Sequence, residues 1–407
     1  MRNKGWIVTL AGAGVNMALG VLYAWSVFAK QLTEATANGG FGWDKTTASL
    51  PYITAIGVFA LMMIPAGRLQ DRFGPRLAAT AGALLAGLGL IVAGFSTAQN
   101  VWPAMFGFGL MTGTGMGLGY AAATPAAVKW FPANKKGLIT GIVVSGFGLA
   151  PVYIAPLTNT LLAQYGVGGA FKFLGLGFAV FAGLLAQLIV NPPSVGGAKP
   201  VAGSPAAADG WTDMTRSPRF FVFWLQYACA ATAGLMIIGH LSRIVASQSG
   251  GAVTLGFVFV AILAVFNALG RIMAGLISDR IGRAPTIALV CATQAGVMLW
   301  FPHLASAGAF FMGAALVGFN YGACLSLFPS VTADNWGTKN FGLNYGLMFT
   351  AWGVGGVFGP LLAGRIADAT GSYALAFQIA AAMLAAAAVL SLGQTVLARR
   401  RALSGAV

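Results

Sequence analysis

Gly67-Arg68-Leu69-Gln70-Asp71-Arg72-Phe73-Gly74-Pro75-Arg76 follows a long apolar run, and Gly275-Leu276-Ile277-Ser278-Asp279-Arg280-Ile281-Gly282-Arg283 follows another. The two acids, Asp71 and Asp279, lie 208 residues apart in a chain of 407. A motif recurring at half the chain length marks an internal duplication. Each copy joins glycine, which lets two helices approach closely, to an acid that can cap a helix start or pair with a nearby arginine. A charged clasp of this kind between helices could bias one conformational state over another. Asp71, Arg72 and Arg76, with Asp279, Arg280 and Arg283, are therefore the candidate gating residues; a plain cation-rich loop is the competing reading.

Working outward, apolar runs of about 20 residues recur on both sides of each motif, the length that spans a hydrocarbon core of about 30 Å. Twelve spans are expected, at 6–29, 47–66, 77–97, 101–127, 137–163 and 169–190, then 219–244, 252–277, 284–302, 306–330, 341–365 and 373–396. The segment 191–218 is rich in Pro, Gly, Ala and Ser and reads as a flexible linker. The expected fold is all-α and membrane-embedded, with twelve transmembrane helices in two pseudo-symmetric six-helix bundles, 1–190 and 219–407, joined by 191–218.

Composition agrees. Hydrophobic residues make up 58% and charged residues only 8%, too few charges to coat a particle in water. The net charge of +15 is no nucleic-acid footprint, because the cations sit in short loops between apolar runs. With both termini placed in the cytoplasm of a cell inner (plasma) membrane protein, 17 of the 23 Lys and Arg fall on the cytoplasmic side. Cys229, Cys291 and Cys324 lie in apolar segments, without metal-ligand spacing, and read as buried free thiols. No cofactor is expected: the glycine-rich stretches lack the Lys-Ser/Thr of a phosphate-binding loop. Nothing calls for an obligate protein partner. The spans hold no nucleophile–base pair, metal cluster or paired acids, so an enzyme is not expected.

All eight acids fall in loops or at span ends, whereas Arg271 lies well inside span 8, about 12 Å of helix rise from Asp279. A charge at that depth costs at least about 2.5 kcal/mol and usually faces a cavity. The guanidinium fork matches a carboxylate, which makes a small carboxylate the expected substrate. Asn267, four residues earlier, shares a helix face with Arg271. Tyr120, Tyr23 and Tyr321 offer an apolar wall with one hydrogen bond each; helix packing explains Tyr23 and Tyr321 equally well. Asn320 fits substrate contact or interhelical bonding, and Asn16 fits the latter. Leu22, Phe349 and Trp352 are candidates for closing a cavity around a short tail. His240, near Arg243 and the outer end of span 7, reads as structural.

The paired loops resemble the signature of the major facilitator superfamily. Trp130-Phe131, Lys135-Lys136-Gly137 and Gly141 resemble the segment opening span 5 in monocarboxylate transporters. Ser326 to Ser330, Asp334, Gly337 and Asn344 to Ala351 resemble the oxalate–formate antiporter family. The resemblance implies transport of a small monocarboxylate such as L-lactate or pyruvate by alternating access, with Arg271 on the substrate carboxylate and a proton as co-substrate. It also implies a cavity role for Tyr120. Two departures matter. Asn267 stands where monocarboxylate transporters carry an acid, which weakens the case for proton coupling. Trp352 stands where the oxalate–formate family carries a lysine, which leaves one cavity cation and favours one carboxylate over two. Anion exchange of the oxalate–formate type, and a membrane carboxylate sensor without flux, are the alternatives.

Overall fold

A computed structural model describes residues 2–193, 211–253 and 256–404. Ten helical stretches in it are long and apolar enough to cross a bilayer. One of them, Ala133–Ala186, has 54 residues, about 80 Å of helix and far longer than one crossing needs. Gly166, at φ 64° and ψ −175°, breaks it into two spans. Another crossing, over 102–128, is interrupted by a π-helical stretch, Met105–Thr112. Among the described residues the membrane helices are thus twelve.

We number them in chain order. α1 runs through Arg2–Leu19, a 3₁₀ stretch Gly20–Ala24, and Trp25–Thr33. α2 is Lys45–Phe73, α3 Pro75–Ala93, and α4 covers 102–128. Helix Lys136–Ala186 supplies α5 (136–165) and α6 (167–186). α7 is Pro218–Gln248, α8 Gly256–Ile281, α9 Arg283–Trp300, α10 Ala307–Trp336, α11 Phe341–Thr370 and α12 Ala374–Ser404. Of the expected linker, 194–210 lies outside the described residues; a short helix, Trp211–Arg216, occupies part of the remainder.

Large apolar side chains point outward along these helices. Leu61, Leu184 and Val389 are about two-thirds exposed, which is tolerable where lipid rather than water covers them.

The chain packs as two compact units. The first contains Met1–Pro132, Ile142–Trp211 and Asn335–Thr350; the second contains Ala133–Gly141, Thr212–Asp334 and Ala351–Val407. The start of α5 therefore packs with the second unit and the start of α11 with the first. Small residues allow it. A Cβ on Gly67 would run into the Gly342 carbonyl, and one on Gly275 into the Gly137 carbonyl.

Candidate functional site

In the second unit, α8 holds Arg271 with only 1% of its surface exposed. Spacing of four residues places Asn267 one turn below it. Arg271 Nε donates to Asn267 Oδ1 at 2.9 Å, and Asn267 is itself 2% exposed. The amide oxygen thus fixes one edge of the guanidinium without taking up its charge. α8 has close neighbours here: a Cβ on Gly141 of α5 would strike the Arg271 carbonyl, and one on Gly322 of α10 would strike that of Asn267.

The same unit carries two further polar links. Trp352 Nε1 donates to the Tyr321 hydroxyl at 2.8 Å, joining α11 to α10. Asn320 Nδ2 donates to Gln294 Oε1 at 3.0 Å, and Asn320 Oδ1 accepts from Thr293 Oγ1 at 3.1 Å, joining α10 to α9. Asn320 therefore has both ends of its amide engaged between helices. Thr293 and Gln294 were not singled out in the sequence. His240 Nδ1 lies 3.2 Å from the Met236 carbonyl of its own helix, and its ring lies 5.6 Å from that of Tyr373. Cys229, Cys291 and Cys324 are buried and free.

The first unit gathers the other candidates into an aromatic cluster. Tyr120 of α4 and Phe349 of α11 have ring centroids 5.5 Å apart. Phe59 of α2 lies 5.6 Å from Tyr120 and 5.3 Å from Phe349. Phe147 of α5 lies 5.6 Å from both Tyr120 and Tyr23. Tyr23 and Leu22 sit on the 3₁₀ stretch of α1, a geometry that often marks a hinge within a longer helix. Phe59 and Phe147 had no distinguishing signal among 28 phenylalanines. Asn16 Nδ2 donates to the Val143 carbonyl at 2.9 Å, an interhelical bond between α1 and α5.

The loop acids both cap helix starts. Asp71 accepts from the backbone N–H groups of Gly342 at 3.2 Å and Leu343 at 2.9 Å. Gln70 Nε2 also donates to Asp71 Oδ1, at 2.5 Å. Asp279 accepts from the N–H groups of Gly137 and Leu138, each at 2.9 Å. The first N–H groups of a helix lack partners within it and carry partial positive charge, so a carboxylate satisfies them on both counts. Gly74 (φ 91°) and Gly282 (φ 97°) turn the chain just after each acid, a conformation side chains resist. Near Asp279 an ion network follows. Arg283 reaches Asp279 and Asp334, each at 2.8 Å, and Lys136 reaches Asp334 at 3.1 Å. Near Asp71, burial pulls the Lys129 ammonium below its ordinary value, and the charge of Asp71 opposes that pull. Arg72, Arg76 and Arg280 are exposed, and no ion pair joins them to the acids among the described residues.

Residues 5–356 match the family model described as Major Facilitator Superfamily. The chain belongs to that superfamily. Its members' fold has twelve helices in two six-helix bundles, and this chain is a multi-pass membrane transporter, not an enzyme. Among relatives, the oxalate:formate antiporter of Oxalobacter formigenes is 29% identical, over 90% of this chain and 85% of that protein. Monocarboxylate transporter 13 of Bos taurus is 26% identical, over 94% of this chain and 87% of the relative. A crystal structure of the superfamily transporter FucP in the outward conformation shares the fold. Its TM-score is 0.72 at 15% identity, covering 95% of this chain and 98% of that one.

Proposed function

We propose that this superfamily transporter carries a small monocarboxylate, of the size of L-lactate or pyruvate, by alternating access. The observation that carries the reading is Arg271, a guanidinium 1% exposed in the middle of α8 and held by Asn267. A cation at that depth is costly and is kept where it serves a substrate. Its planar fork suits a carboxylate, and charge-assisted bonds of this kind are strong in a site of low dielectric. The names of the two relatives support the substrate class, since both concern carboxylates. In the first unit, Tyr120, Phe349, Tyr23 and Leu22 supply apolar surface suited to a short aliphatic tail; in the second, Tyr321, Trp352 and Asn320 complete the candidate contacts. The protein sits in the inner (plasma) membrane with both termini in the cytoplasm, as its loop cations favour. The bundles are 1–190 and 219–407, and the Asp71 and Asp279 caps, with Arg72, Arg76, Arg280 and Arg283, act as gating elements on the cytoplasmic side.

Proton-coupled symport is the first coupling mode. Asn267 favours a second, exchange of one anion for another. Its amide oxygen accepts from Arg271 Nε at 2.9 Å and takes up no proton in the physiological range.

Uptake of labelled L-lactate into proteoliposomes tests the reading. Wild-type uptake is expected to saturate and Arg271→Gln to lose about 100-fold or more, the scale of a lost charge-assisted pair. Stimulation by an inward proton gradient selects symport. Uptake only into vesicles preloaded with lactate, formate or oxalate selects exchange. Saturable lactate binding without flux in either format would make the protein a sensor, and full activity in Arg271→Gln would sink the assignment.

A further inference from the structure

The segments that end α2 and α8 and lead into the following loops align from Gly67 and Gly275 to Gly74 and Gly282, but they dispose of their cations differently. In the second loop Arg283 is paired with both Asp279 and Asp334. In the first, Pro75 stands at the position of Arg283, and Arg68 stands where the second loop has Leu276. No carboxylate pairs with Arg68 or Arg72 among the described residues. The Arg72 guanidinium instead lies 5.1 Å over the ring of Phe73. Asp71, between them in sequence, is already engaged by two backbone N–H groups and by Gln70.

Arg68 and Arg72 are four residues apart and share one face of α2. Together with Asp71, Trp211, Asn340 and Leu343 they line a cavity of about 260 Å³. That is room for several waters, at about 30 Å³ each, or for an oxyanion with a small organic group attached. We propose that this cavity binds a phosphate-bearing anion, whose oxygens engage the Arg68 and Arg72 guanidinium groups while Trp211 covers the attached organic part. Two guanidinium groups carry two positive charges, which a phosphate monoester, with up to two negative charges and three free oxygens, matches more fully than a single carboxylate does. Trp211, half-exposed at the rim, supplies apolar cover without closing the mouth. The bound anion neutralises two cations beside the Asp71 cap, and so steadies the contact of α2 with the start of α11. This site is separate from Arg271 and does not depend on the transported substrate. The phosphate can come from a soluble compound or from a lipid headgroup.

The test uses the full chain in phospholipid-free detergent and in nanodiscs. In detergent, radiolabelled inorganic phosphate is expected to bind saturably. Binding should weaken about tenfold or more in Arg68→Leu/Arg72→Gln, a loss of about 1.4 kcal/mol or more, and stay unchanged in Arg271→Gln. Nanodiscs of phosphatidylcholine, with or without phosphatidylglycerol, form the second arm, read by amide hydrogen exchange over 341–347. Slower exchange with phosphatidylglycerol in wild type but not in the variant, without binding of inorganic phosphate, assigns the site to a lipid headgroup. Arg68→Leu alone restores the residue type that the second loop tolerates at 276, and serves if the double variant does not fold. Absence of both effects in wild type, or their persistence in the variants, overturns the proposal.

Discussion

The Asp71 and Asp279 caps solve one problem in two ways. Each sets a carboxylate on two successive N–H groups of a Gly-Leu pair, Gly342-Leu343 for Asp71 and Gly137-Leu138 for Asp279. Each thereby fastens the start of a helix to the end of a helix distant in sequence. The second cap is embedded in charge: Arg283 bridges two acids and Lys136 reaches one of them. The first rests on an amide, Gln70, at the position that Ser278 holds in the second. Duplication preserved the backbone contact, while the side chains around it diverged. The contact is therefore the common requirement, and the ion network is an addition to one copy.

That comparison breaks most directly by removing each acid. Asp279→Ala leaves two N–H groups without their acceptor and strips Arg283, 12% exposed, of one of its two acids. The expected loss is about 3–5 kcal/mol, the range for breaking a buried pair from one side. Asp71→Ala leaves two N–H groups and the Gln70 amide unsatisfied, with no paired cation behind them, and should cost about 1–3 kcal/mol. The ordering is read from apparent unfolding midpoints in one detergent. Equal shifts, or a larger one for Asp71→Ala, would show that the ion network adds nothing to the second cap.

Salt sharpens the same contrast at a smaller scale. Lys136 and Asp334 are 17% and 32% exposed in their pair, so solvent screens it, and Lys136→Met should cost only about 0.2–1 kcal/mol. Raising ionic strength toward about 1 M, where the screening length falls to about 3 Å, should abolish that difference. The midpoint of Asp71→Ala relative to wild type should hardly move over the same range. A Lys136→Met effect that survives high salt would point to packing of the lysine stem instead of its charge.

Much of this was legible in the chain itself, and the reasons are local. The duplication of Gly67–Gly74 as Gly275–Gly282, the twelve apolar runs, and the four-residue step from Asn267 to Arg271 are short-range patterns that composition and helix geometry decode. Capping was legible as an option for Asp71 and Asp279, but not its address. Gly342 is 271 residues from Asp71, and nothing in either segment names the other. The start of α5 and the start of α11 pack away from their own sequence halves for the same reason. Phe59 and Phe147 were invisible because a phenylalanine in an apolar span looks alike whether it faces lipid, a helix or the ring of Tyr120. Thr293 and Gln294 would have emerged from asking which polar side chain could satisfy the amide of Asn320, since a buried amide must find partners.

The narrowest contrast isolates the feature that most distinguishes the first cap. Gln70→Leu removes the amide that donates to Asp71 at 2.5 Å while keeping the bulk of the side chain, and Asp71 retains its two backbone donors. One hydrogen bond to a charged acceptor is lost among three, and the Gln70 Oε1 atom removed with it is buried without a partner among the described residues, so the cost should be about 1.5 kcal/mol, the low end for a bond to a charged group. Its counterpart is Ser278→Ala. Ser278 Oγ accepts from Arg283 Nη1 at 2.5 Å, yet Arg283 keeps both carboxylates, so this change should cost less than Gln70→Leu. The two substitutions touch matched positions and neither removes a charge. If Ser278→Ala proved the more damaging, the serine would be holding Arg283 in place for both acids, and the second cap would depend on its hydroxyl more than the first depends on its amide.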